Sequence, residues 1–84
     1  MRPNSELLKQ QFITIVNNQI EENKPLETKQ TLDRLIKEGY TAAEAKLMIA
    51  QCVAVEMFEL MQANEPYNQT RYIKNLLQLP TQPF

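Results

Sequence analysis

Apolar residues recur along this chain at helical rather than strand spacing, in four segments divided by turn-forming residues. In the first, about residues 5–22, Leu8, Phe12, Ile13, Ile15, Val16 and Ile20 share one side of a helical projection. Glu6, Gln10, Thr14, Asn17, Asn18 and Glu21 share the other, with Lys9 and Gln19 intruding on the apolar side and Leu7 on the polar one. Ser5 suits the N-cap position. Asn23-Lys24-Pro25 makes the first corner, and Pro25 fits the first turn of a second helix over about 26–38. That helix carries only a narrow stripe of Thr28, Leu32, Leu35 and Ile36, with Asp33 and Lys37 placed as an i,i+4 ion pair.

Gly39 is the only glycine, and it follows directly on Leu35-Ile36-Lys37-Glu38. A left-handed residue is needed just past a helix end, and glycine adopts that conformation without a Cβ penalty. Thr41 with Glu44 three residues on forms a capping box and opens a third helix, about 42–63. Two apolar seams run its length: Leu47, Ala50, Ala54, Met57 and Met61, and Ile49, Val53 and Leu60 with Glu56 interposed. A third begins apolar and fades, through Ala45, Met48, Cys52 and Val55 to Glu59 and Gln62. A helix so apolar around its circumference needs neighbours on most sides. Asn64-Glu65-Pro66 ends it, and a fourth helix over about 68–78 sets Tyr72, Ile73, Leu76 and Leu77 inward. Leu79-Pro80 stops that helix, because the residue before proline resists the α region; 81–84 is a short tail whose Phe84 needs a pocket. The expected architecture is one all-α domain of four helices, the long apolar third at its centre.

Composition narrows the function more than it defines it. The chain has 84 residues, 43% hydrophobic and 23% charged, which suits one small globular domain. A net charge of −1 gives no electrostatic case for nucleic acid or an anionic membrane. The junction at Gly39 has the outline of a helix-turn-helix, but its second helix offers Ala42, Ala43, Glu44 and Ala45 where a DNA reader needs basic and polar groups. Residues 42–61 approach membrane-spanning length, yet Lys46, Gln51, Glu56 and Glu59 interrupt them. The segment after Arg2-Pro3-Asn4 is broken by Lys9, Gln10, Gln11, Asn17 and Asn18, unlike an apolar signal sequence, which points to the cytoplasm. The lone Cys52 suits the same reducing setting.

Candidate chemistry is sparse. Without histidine and with a single cysteine, the chain cannot build the usual zinc sites or a Cys–His nucleophile, and one glycine cannot make a phosphate loop. No enzyme activity, metal or cofactor is expected. Glu56 and Glu59, one helical turn apart, are the only helical carboxylate pair at useful spacing; a solvated edge, or a Glu56 satisfied by Tyr67, Tyr72 or Arg71, is the plainer account. Two functional readings remain. The first is an interaction or accessory module that self-associates as a homodimer or binds another protein's helix. Its expected interface is Ala45, Met48, Cys52, Val55 and Glu59, an apolar stripe with a polar rim. The competing reading is a small-ligand bundle using Glu56, Tyr72 and Arg71 as polar groups.

The steps Arg34-Leu35, Gly39, Glu44-Ala45, Ile49-Ala50, Glu56, Tyr72, Leu76 and Leu79-Pro80 together resemble small bacterial all-helical domains of no assigned function. The resemblance spans about two thirds of the chain and implies a helical fold with a long helix after the glycine. Members often carry histidines just after that glycine; Tyr40, Thr41 and Ala42 stand there instead, so no histidine chemistry follows. The Gly-Tyr step also looks like the loop of a ubiquitin-associated domain, from which the chain departs in the length of its third helix and in Glu38.

Overall fold

The computed structural model describes residues 5–83 and folds them into four helices: α1 Ser5–Glu22, α2 Leu26–Lys37, α3 Ala42–Gln62 and α4 Gln69–Gln78. No strand occurs among the described residues. The Ser5 side chain and Phe84 lie outside the described residues.

Local chemistry sets each junction. Asn23 and Asn64 follow α1 and α3 with φ of 54° and 55°, the left-handed conformation that asparagine tolerates better than most residues. At the end of α2, Gly39 takes φ 112°. Its N–H reaches the Ile36 carbonyl at 3.0 Å, and the Tyr40 N–H reaches that of Leu35 at 3.1 Å. This paired closure is a Schellman motif, which satisfies carbonyls the helix leaves free. Two residues later the Glu44 N–H donates to Thr41 Oγ1 at 3.1 Å, and the Thr41 N–H donates to Glu44 Oε1 at 2.9 Å, completing the capping box. Asn68 caps α4 by accepting from the Arg71 N–H at 2.9 Å.

α3 packs against α1, α2 and α4. The core combines Val16 of α1, Leu32 and Leu35 of α2, Ala45, Ile49, Ala50, Cys52 and Val53 of α3, and Tyr72, Leu76 and Leu79 at the C-terminal end. Phe12, Ile13, Ile15 and Ile20 complete it from α1, whereas Leu8, expected on the inward side, is exposed. On α2, Ile36 is likewise exposed, and Thr28 and Thr31 are buried. Asp33 pairs back to Lys29 at 3.3 Å instead of forward to Lys37. Arg34 joins α2 to α4 by donating to the Leu76 carbonyl at 3.1 Å, a cation at a helix C-terminus. Among the described residues no helix is long and apolar enough to cross a membrane.

Candidate functional site

The stripe expected to form an interface is divided by the fold. Ala45 and Cys52 are fully buried in the domain core, and Met48 is half-buried against it. Ala45 and Cys52 therefore offer no surface to a partner while the domain stays folded. The physical reason is coverage: the Phe12–Ile20 side of α1 and the apolar sides of α2 and α4 supply enough surface to enclose this seam. Val55 and Glu59 sit at its edge, half-buried, and line a groove of about 450 Å³ with Ala54, Phe58 and Pro83. Burial pushes the Cys52 thiol up to about 12, with the nearby Glu56 carboxylate adding to the effect. At neutral pH that sulfur is a protonated core atom, not a nucleophile.

Glu56 and Arg71 are brought together, as the ligand reading requires, but they engage each other. Glu56 is only 4% exposed. Arg71 donates from Nε to Glu56 Oε2 at 2.6 Å and from Nη2 to Oε1 at 3.0 Å, a two-point pairing. The Asn68 N–H adds a third bond, to Oε1 at 3.0 Å. Glu56, Asn68 and Arg71 thus form a closed clasp between α3 and the start of α4. Burial alone would push the Glu56 carboxyl up, but the Arg71 and Asn68 hydrogen bonds outweigh it and hold the carboxyl below its usual range.

Tyr72 points its hydroxyl elsewhere, donating to Gln19 Oε1 at 2.6 Å. Thr28 Oγ1 donates to the same oxygen at 2.8 Å and lies 3.3 Å from the tyrosine oxygen. This three-membered network joins α1, α2 and α4. Burial raises the Tyr72 phenol well above its ordinary value, so it stays a neutral donor. The sequence carried a sign of this arrangement: Gln19 and Thr28 both interrupt apolar stripes, and a buried polar group must find a partner. Beside the network, Gln19, Asn23, Lys24, Pro25, Leu26, Glu27, Tyr67 and Gln69 line an open groove of about 530 Å³. No cluster of three or more metal-ligating carboxylates or thiols exists among the described residues.

What remains open is the opposite side of α3. Leu47, Phe58 and Met61 are 38%, 61% and 77% exposed, with Ala54 between them half-buried. Phe58 belongs to none of the three seams traced from the sequence, although it stands four residues after Ala54 and three before Met61. Met57, 38% exposed, extends the exposed apolar surface beside Met61. The chain matches no protein-family model, no curated protein and no solved structure. Fold and exposed surface alone define its class: an all-α four-helix domain with a bare apolar face.

Proposed function

We propose that this protein is a non-enzymatic association module, acting in a reducing, cytoplasmic setting, that binds a helical partner or itself through the outward face of α3. The observation that carries this reading is the aromatic and thioether surface of Phe58, Met57 and Met61 beside the Val55–Glu59 groove. Large contiguous apolar patches are uncommon on monomeric domains and mark interaction sites. Methionine adapts its shape to a partner, and an aromatic anchor ringed by polar groups has hot-spot anatomy. Val55 and Glu59 stay in the interface from the stripe first expected; Ala45, Met48 and Cys52 support it from beneath.

The other polar clusters support a structural role. The Glu56–Arg71–Asn68 clasp and the Tyr72–Gln19–Thr28 network each join helices and use the acceptors that a ligand would need. The test is Phe58→Glu, compared with the wild type by sedimentation and by retention of partners on the immobilised chain. Association lost by the variant, with its helical circular dichroism intact, supports the reading. Identical behaviour of the two proteins in both assays contradicts it.

A further inference from the structure

We infer that the outward face of α3 meets a second copy of this chain, helix against helix in antiparallel orientation about a twofold axis. The inference rests on the association reading above and specifies the occupant and its direction.

Residues on the open face recur as Leu47, Gln51, Ala54, Phe58 and Met61, at alternating spacings of four and three. That is the seven-residue repeat by which one helix packs along another, with Gln51 and Phe58 at one core position and Leu47, Ala54 and Met61 at the other. The face has unlike ends. Its N-terminal end opens into a groove of about 360 Å³ lined by Lys9, Ile13, Ala43, Lys46 and Leu47. Its C-terminal end opens into the groove lined by Ala54, Val55, Phe58, Glu59 and Pro83. One groove is apolar with two ammonium groups; the other is apolar with a carboxylate. At the N-terminal end, Glu44 is committed to its own helix cap and Glu6 lies 3.9 Å from Lys9.

Direction follows from these ends. In a parallel pair Phe58 would meet Phe58 and the lysines would meet lysines. An antiparallel pair sets Phe58 level with the partner's Leu47, where the Ile13–Ala43–Leu47 groove is free to receive a ring and Lys46 can approach its face. The exchange is mutual, so each copy fills the other's groove and the assembly closes as a dimer. In the same register Gln51 lies level with the partner's Ala54, placing the two Gln51 side chains on either side of the axis. A polar residue at one core position is what fixes the register of paired helices.

The test uses the full chain with Cys52→Ala and Gln62→Cys, spin-labelled at residue 62, for pulsed electron–electron distance measurement. Sedimentation across a dilution series accompanies it, on the wild type and on this labelled variant. Antiparallel packing sets the two labels roughly 28 Å apart along the axis, from 1.5 Å rise per residue over about nineteen residues. Parallel packing sets them about 10 Å apart. A dimer with the long distance, its dissociation constant raised roughly thirtyfold by Phe58→Glu, is the expected result. Should Phe58→Glu lose its helical signal, Met61→Lys, at a site 77% exposed, carries the same comparison. The short distance overturns the inference. A monomer at every concentration overturns the second copy as occupant while leaving the broader association reading standing. A dimer indifferent to both face variants overturns the inference, and the association reading falls with it where retention of partners on the immobilised chain is equally unaffected.

Discussion

The two sides of α3 are both apolar in sequence, yet they behave oppositely in the fold. The inward side buries Ala45, Ile49, Cys52, Val53 and the carboxylate of Glu56; the outward side leaves Leu47, Phe58 and Met61 in the open. A charged group is inside while a phenyl ring two residues later is outside. Residue type does not explain that inversion, but partners do. Glu56 is enclosed because α4 brings Arg71 and the Asn68 N–H to it, and a paired, hydrogen-bonded charge can be taken from water. Phe58 is open because, among the described residues, no helix covers its side of α3. A small domain has too few elements to cover every apolar surface, so what it leaves bare is informative.

The sharpest way to separate the two sides is truncation. Ile49→Ala removes a fully buried side chain and is expected to cost about 3 kcal/mol, lowering the thermal midpoint by more than about 10 °C. Met61→Ala, on the open side, is expected to cost no more than about 0.5 kcal/mol. Thermal unfolding followed by circular dichroism reads both, and equal losses would break the comparison.

Glu56→Gln probes the buried charge. Loss of charge-assisted bonds at this enclosed carboxyl is expected to cost about 2 kcal/mol at neutral pH. The folded carboxyl is held below the ordinary value of 4.5, so it binds its proton less readily in the folded than in the unfolded chain. Its stabilisation is therefore fully present above that ordinary value and is lost as pH falls through the lower, folded one. Urea unfolding at a series of pH values from neutral into the acid range should show a steeper acid loss for the wild type than for Glu56→Gln. Parallel profiles would mean that the clasp does not form in solution.

A smaller effect is expected from Tyr72→Phe. The phenol donates to Gln19, but Thr28 donates to the same oxygen and remains when the hydroxyl is gone. The expected cost is about 1 kcal/mol, read by the same urea series. A loss as large as that of Ile49→Ala would show that the network acts as one unit and not as separable bonds.

Much of the architecture was legible because its signals are local. Gly39 next to Thr41 and Glu44 announced one helix ending and another starting, and the backbone closes there through those same residues. Pro25 and Leu79-Pro80 bounded α2 and α4. Side-chain pairing and coverage were less legible because they depend on elements distant in the chain. Periodicity assigns each residue an angle on its helix, but not the direction in which the neighbours lie. The Ala45–Met48–Cys52–Val55 stripe was therefore read as one surface when two of its four residues, Ala45 and Cys52, are core, and Phe58, one position off the regular seams, escaped notice. Asp33 had lysines four residues away on both sides, and spacing alone could not choose Lys29 over Lys37. Glu56 was recognised as the residue whose burial mattered, with Arg71 among its possible partners, but the Asn68 N–H required the fold of the α3–α4 connection.

That the Cys52 side of α3 is core, and so cannot be the contact surface, is the claim on which the placement of the interface depends. Cys52 is the chain's only thiol, which makes its labelling rate by a thiol-specific reagent, with and without denaturant, the most direct test. The native protein should label only as fast as it unfolds and reach the rate of a free peptide thiol once denatured. A native chain labelling as readily as the denatured one would return Cys52 to the surface and contradict the assignment of the two faces.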